Sequence, residues 1–289
     1  MKVPSNLVKD IKRYYCEQLC SIYDKDEANA MVLILFEHYF KIDRVRMALE
    51  PNLRLSESEM LTFHFAVKDL LKNKPLQYII GETEFCDLKF KVNENVLIPR
   101  PETSELVHLI ANSKKPAVQS PKSILDIGTG SGCIAISLAK QLPQSQVYAL
   151  DISEKALCIA KENAIINNVD ITFIHDYILS LKNKVETKFD IIVSNPPYVR
   201  ELEKTEMHDN VLSWEPHNAL FVSDDDPLIF YRNILEFAKN NLRENGEVWF
   251  EINEYLGKEM IDLCCEMGFS NVNIYKDFRE KERFLSVRN

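Results

Sequence analysis

Apolar residues recur with two different periods along the chain. From residue 1 to about 75 the spacing is helical. Met60, Phe63, Val67, Leu70 and Leu71 mark one such face. Asp24-Lys-Asp-Glu27 and Ser56-Glu-Ser-Glu59 precede apolar runs in the pattern of a capping box. Pro51 and Pro75 interrupt the pattern. The first strand-like run is Tyr78-Ile-Ile80, and residues 81–98 carry short extended pieces, CDLKFKV and NVLIP, that suggest a hairpin connector.

From residue 122 onward short apolar runs alternate with helical segments. Strands are expected at 123–128, 146–151, 171–176, 189–195, 247–252, 271–276 and 283–288. Helices are expected at 131–142, 153–167, 256–267 and from Pro227, with Asp226 as its cap. Alternation of this kind predicts an α/β fold, a parallel sheet covered on both faces. The last two strands have no helix between them and are expected to pair antiparallel. The organisation predicted is a helical domain over 1–80, a connector over 81–98 and an α/β domain over 99–289.

Composition is that of an ordinary globular protein, 46% apolar and 27% charged among 289 residues. The 35 Lys and Arg against 44 Asp and Glu leave a net charge of −9. A protein that neutralises many phosphates carries the opposite balance, so no stable nucleic-acid partner is expected. The longest apolar run, residues 30–36, is far short of the ~18 residues of a membrane span. The opening MKVPSNLVKDIKR lacks the apolar stretch and cleavage site of a secretory signal. Seven irregularly spaced cysteines without a Cys-x-x-Cys fit reduced thiols in the cytoplasm. Cys16 and Cys20 share a helix face, but no nearby ligand completes a zinc set, and no metal is expected.

Glycine changes the picture. Of only seven glycines, Gly128, Gly130 and Gly132 fall within five residues, where a strand ends and a helix opens. Such a loop lets backbone approach a ligand at a helix N-terminus. The spacing is Gly-x-Gly-x-Gly, not the Gly-x-Gly-x-x-Gly of dinucleotide binders. Asp126, two residues earlier, opposes a pyrophosphate and suits a cationic or zwitterionic ligand. Asp151 closes the next strand 19 residues beyond Gly132, where an acid bonds ribose hydroxyls or caps the following helix. Asp176 and Tyr177 end the third strand, at the wall of a nucleoside pocket or in an ordinary loop. Asn195-Pro196-Pro197-Tyr198 ends the fourth. Its prolines remove two N–H donors, so the Asn195 side-chain oxygen and a proline carbonyl form an acceptor pair. That pair can hold the two hydrogens of a planar amino group, on which Tyr198 can stack.

These residues resemble the class I S-adenosylmethionine-dependent methyltransferases that act on amino nitrogen. More narrowly, Pro75-Leu-Gln-Tyr-Ile-Ile-Gly81, Glu84-Phe85, Leu97-Ile-Pro-Arg-Pro-Glu-Thr103 and Trp214-Glu-Pro-His-Asn-Ala-Leu220 are similar to the HemK/PrmC family. The likeness covers nearly the whole chain and is weakest over the first 70 residues. It implies a Rossmann-like seven-stranded sheet and S-adenosyl-L-methionine as cofactor. It further implies methylation of the glutamine of a Gly-Gly-Gln motif in peptide chain release factors. A ribosomal protein as substrate, or an adenine-type nucleic-acid methyltransferase, are the competing readings. The candidate cofactor contacts are Asp126, Gly128, Thr129, Gly130, Ser131, Gly132, Asp151, Asp176, Tyr177 and Asn195. The candidate catalytic residues are Asn195, Pro196 and Tyr198; Pro197 and Arg100 join them as substrate contacts. Arg100, between two prolines, either positions substrate or braces the connector. No catalytic histidine is expected, and His175 and His208 are read as structural or surface residues. Two departures from the family pattern stand out: Cys86, where an aromatic is usual and a substrate wall is at stake, and Asn253-Glu254, read as touching no chemical residue. A monomer is expected, with the N-terminal helices either a docking platform for the protein substrate or a lid that only stabilises the main domain.

Overall fold

The computed structural model describes residues 5–113, 123–180 and 187–288. The first four residues, part of the stretch read above as lacking a secretory signal, lie outside them. Two compact units emerge: Met1–Gly81 with His208–Trp214, and Glu82–Met207 with Glu215–Asn289.

The first unit holds α1 (Val8–Leu19), α2 (Lys25–Phe40), α3 (Arg44–Leu49), α4 (Glu57–Leu70) and α5 (Leu76–Ile80). Ser56 forms the full reciprocal box with Glu59 at the start of α4. Asp24 supplies only half of one: its carboxylate accepts from the Asp26 and Glu27 amides, with no return bond. Leu19, Leu35, Phe36, Phe63 and Leu70 form a fully buried core. Tyr78-Ile-Ile80, strand-like in sequence, is the end of helix α5. Pro75 supplies its entry and Gly81, at φ 78°, its left-handed exit.

The second unit opens with the hairpin β1 (Glu82–Phe85) and β2 (Leu88–Lys91), joined by Cys86 and Asp87, both at positive φ. Cys86 therefore serves a tight turn and packs on an apolar cluster of this unit. There follow α6 (Pro101–Ser113), β3 (Ser123–Ile127), α7 (Cys133–Gln141), β4 (Gln146–Asp151), α8 (Glu154–Ile166), β5 (Ile171–His175) and β6 (Phe189–Ser194). A two-residue pair β7 (Val199–Arg200) and β8 (Phe221–Val222) brackets a 3-10 turn at Glu201–Glu206. Helix α9 (Asp209–Trp214) belongs to the first unit, where the Trp214 indole donates to the Lys72 carbonyl. After α10 (His217–Leu220) come α11 (Ile229–Asn241), β9 (Leu242–Glu251), α12 (Gly257–Glu266), β10 (Ser270–Lys276) and β11 (Glu282–Arg288).

The seven-stranded sheet runs β10-β11-β9-β6-β3-β4-β5. Strands β3, β4, β5, β6 and β9 are parallel, and β11 lies antiparallel between β9 and β10. The antiparallel ending matches the sequence expectation. All of β3 is buried, which is why it reads as a continuous apolar run. Two boundaries differ. Helix α11 starts at Ile229, and Asp226 does not cap it with its side chain; its carboxylate is taken by Arg232 at 2.8 and 3.2 Å. Strand β9 starts at Leu242, five residues early, because a register irregularity before Glu247 lets the chain join the sheet directly from α11.

Candidate active site

The chain leaves β3 for β4 and β5 on one side, then returns to β6 on the other, so the strand order reverses beside β3. Ligands of open α/β sheets settle at the C-terminal ends of strands at such a point. A cavity of about 320 Å³ lies there, lined among others by Gly128, Gly130, Asp151, Asp176, Asn195 and Pro196.

The glycine loop owes its shape to β4. The Gly128 and Thr129 amides both donate to the Leu150 carbonyl, and the Gly130 amide donates to Asp151 Oδ2 at 2.8 Å. Gly132 sits at φ 82°, where an added Cβ would come within 2.9 Å of Ile136 Cδ1 and 3.2 Å of Ala160 Cβ. It is thus required both by its dihedral and by the close approach of α8. At Gly128 and Gly130 an added Cβ would meet nothing within 4 Å; open space lies over the backbone there. Asn163 on α8, missed in the sequence, holds the loop to the hairpin. Its Nδ2 donates to the Ser131 and Lys91 carbonyls, and its Oδ1 accepts from the Lys91 amide.

The two acids differ in role. Asp126 is fully buried and does not line the cavity. Its Oδ2 accepts from Thr129 Oγ1 at 2.6 Å and from the Ala135 amide at 3.2 Å. Its Oδ1 has no partner among the described residues. Burial pushes this carboxyl up to about 7 against those two donors. Thr129, Ser131 and Gly132 likewise shape the loop without lining the cavity. Asp151 does line it. Its oxygens accept from the Gly130 and Ser153 amides, with the Ile152 amide as a third backbone donor, which leaves one of its roughly four acceptor positions over. Burial raises its pKa too, against those backbone donors. Asp151 is not the cap of α8; Ser153 is, accepting from the Ala156 amide. Asp176 and Tyr177 complete this wall, with Asp176 Oδ1 accepting from the Tyr177 amide. His175 Nε2 meets the Ile152 carbonyl at 2.9 Å behind it.

Asn195, Pro196 and Pro197 line the cavity from the end of β6. Tyr198 does not line it, and its hydroxyl is engaged elsewhere. Its hydroxyl donates to Glu251 Oε1 at 3.0 Å, while Thr103 Oγ1 donates to Glu251 Oε2 at 2.7 Å. Asn195 Nδ2 lies 3.4 Å from Thr103 Oγ1. Glu251 is buried, and burial raises its pKa against those two hydroxyls. Sequence reasoning missed Thr103 and Glu251 as site residues. The one signal for Glu251 was a charge inside the apolar run Val248-Trp-Phe-Glu-Ile252. Asn253, read as touching nothing chemical, donates from Nδ2 to the Tyr198 carbonyl at 3.1 Å and to Glu203 at 2.9 Å. Arg100 faces Glu215: its guanidinium is 2.6 Å from Oε1, and Oε2 of the same buried acid accepts from the Ile98 amide. It braces the segment entering α6 and does not line the cavity.

Known proteins give this arrangement its context. Residues 12–81 match the PrmC N-terminal domain, and residues 106–220 match the Methyltransferase small domain. The fold is similar to that of the T. thermophilus 16S rRNA N2 G1207 methyltransferase, solved with AdoMet and guanosine. That match has a TM-score of 0.51 at 17% identity, over 72% of this chain and 49% of that one. Sheet order, glycine loop and strand-end acids together define a class I methyltransferase, an enzyme that takes its methyl group from S-adenosylmethionine. The chain is 50% identical over 283 residues to the release factor glutamine methyltransferase of Flavobacterium psychrophilum, covering 97% of this chain and 99% of that one. It is 44% identical over 277 residues to that of Bacteroides thetaiotaomicron, covering 96% and 98%. It belongs to the release factor glutamine methyltransferase family.

Proposed function

We propose that this protein transfers a methyl group to the side-chain amide nitrogen of the glutamine in a Gly-Gly-Gln motif of peptide chain release factors. It acts as a cytoplasmic monomer. The observation that carries this reading is one cavity shared by two chemistries: Gly128, Gly130, Asp151 and Asp176 on one side, and the acceptor-rich Asn195-Pro196-Pro197 on the other. The residues present fit S-adenosylmethionine. Open space over Gly128 and Gly130 leaves room for a ligand against the backbone. The acceptor capacity left on Asp151 suits a ribose hydroxyl, and the acidic side chains of Asp151 and Asp176 on the cavity wall suit a ligand bearing ammonium and sulfonium charges.

When bound, the cofactor supplies an electrophilic methyl group. The protein's task is to present a nitrogen to it. An amide nitrogen is a poor nucleophile because its lone pair is delocalised into the carbonyl. Asn195 Oδ1 and the Pro196 carbonyl accept the two N–H bonds and turn the lone pair toward the methyl, at a near-attack distance of about 3–3.5 Å. As positive charge develops on nitrogen, these two dipoles bind it more tightly than they bind the ground state. The methylated amide sheds its extra proton readily, so no strong base is needed. The first unit holds none of these groups and serves as the platform that selects the protein substrate. A pocket for one amide cannot choose among thousands of glutamines by itself.

The test is incubation with labelled S-adenosylmethionine and purified release factor, followed by peptide mapping. Label on the glutamine of Gly-Gly-Gln is the expected result. Label found instead on a ribosomal protein in whole lysate, or on RNA or DNA, overturns the substrate assignment. The charge of −9 argues against the last outcome, since it leaves little counterion release to drive binding.

A further inference from the structure

We infer that Glu251 and Thr103 form a positioning relay that fixes which end of the Asn195 amide faces the substrate. The inference rests on the reading of Asn195 Oδ1 as an acceptor for the substrate amide. An asparagine side chain is nearly symmetric in shape, and its two ends have opposite hydrogen-bonding character. Turned by 180°, Asn195 would set its own NH2 against the NH2 of the substrate. Nothing in the Asn-Pro-Pro-Tyr segment alone prevents that turn.

The relay decides it by proton counting. A carboxylate can only accept. Buried Glu251 therefore takes hydroxyl protons at both oxygens, from Thr103 at 2.7 Å and Tyr198 at 3.0 Å. Thr103, itself 2% exposed, has a single hydroxyl proton, and that proton is committed to Glu251. Its oxygen is left as an acceptor. The group facing it must be a donor, which is Asn195 Nδ2 at 3.4 Å. The amide is thereby oriented with nitrogen toward Thr103 and Oδ1 on the opposite end of the planar group. The Nδ2 contact is long for a hydrogen bond. Such contacts tighten when the reacting complex forms. Burial raises the Glu251 pKa, and the two hydroxyls and the charge of Arg283 oppose that rise in favour of the ionised form.

The experiment compares wild type with Thr103→Val and Thr103→Ser. Valine keeps the shape and removes the hydroxyl; serine keeps the hydroxyl and removes a methyl. Three quantities are read: single-turnover methyl transfer to release factor at saturating S-adenosylmethionine, calorimetric affinity for S-adenosylmethionine, and hydrogen exchange of the Asn195 side-chain NH2 in 15N-asparagine-labelled protein. Thr103→Val is expected to slow transfer roughly 10–100-fold, as loss of an outer-shell partner does. Affinity for the cofactor should be unchanged and exchange of the Asn195 NH2 accelerated, while Thr103→Ser restores both rate and exchange. A valine variant with normal rate and exchange overturns the relay. So does a serine variant as slow as valine, which would make the role one of packing. Wild type that fails to methylate release factor, while the exchange contrast persists, would sink the substrate assignment and leave the relay standing.

Discussion

Asp126 is the penultimate residue of β3 and Asp151 the last of neighbouring β4, and both are buried carboxyls, but only Asp151 faces the cavity. Asp151→Ala removes the acceptor proposed for a ribose hydroxyl of the cofactor. A hydrogen bond to a charged group contributes ~1.5–3 kcal/mol, so affinity for S-adenosylmethionine should fall roughly 10–100-fold by calorimetry. Under the proposed mechanism Asn195→Ala acts on the chemistry instead. Loss of one preorganised dipole should lower single-turnover transfer by about 100-fold or more, with cofactor affinity little changed. Asp126 shows itself through pH. Burial raises its pKa from 3.8 to about 7. The folded state therefore holds this proton more tightly than the unfolded chain does. The stability it contributes is full below 3.8 and is lost as pH rises through about 7. Asp126→Asn should flatten that part of the stability–pH curve, measured as urea midpoints across the window. An unchanged slope would mean that the carboxyl is ionised throughout.

At the scale of elements, the glycine loop is held by what surrounds it. Its backbone leans on Leu150 and Asp151 of β4, and Asn163 of α8 fastens it to β2. Gly132→Ala would force a side chain into a left-handed dihedral and against Ile136 and Ala160. A loss of roughly 1–3 kcal/mol in unfolding free energy is expected, together with weaker cofactor binding, as α8 and the loop are pushed apart. A variant with native melting and native affinity would show that the loop absorbs the methyl group. The glycine cluster was legible because its spacing is local. The hairpin was legible as extended chain, but its turn was not. Cys86 and Asp87 at positive φ are unusual turn residues, tolerated because the strands on either side pair in register. Tyr78–Ile80 read as a strand for a related reason: three apolar residues carry no period, and Pro75 and Gly81 decided the helix.

For the whole molecule, the division of labour between the units is the property open to test. On α4 of the first unit Leu61 and Phe65 are 48% and 54% exposed, one turn apart. If that unit selects the protein substrate, Leu61→Ser with Phe65→Ser should slow methylation of intact release factor and spare a short Gly-Gly-Gln peptide. Because neither side chain is buried, melting should be unaffected. Equal rates on the intact protein for variant and wild type would remove this face from the docking surface. Among the described residues no helix is long and apolar enough to cross a membrane, which agrees with the hydropathy of the sequence.

What the residues determined by themselves was whatever is encoded in neighbouring positions. That includes the strand–helix alternation, the antiparallel ending, the glycine loop, the acids at three strand ends and the Asn-Pro-Pro-Tyr tip. Each depends on a period or a spacing within a few residues, so it survives without knowledge of the fold. The pairings across the chain needed the tertiary structure. Thr103 reaches Glu251 over 148 positions, Arg100 reaches Glu215 over 115, and Asn163 reaches Lys91 over 72. Only the folded sheet showed that Tyr198 turns its hydroxyl into the core and that Asp126 lies beneath the loop instead of in the cavity. A buried polar side chain must find a partner somewhere. Which partner it finds is set by the packing of distant elements, and no local pattern records that choice.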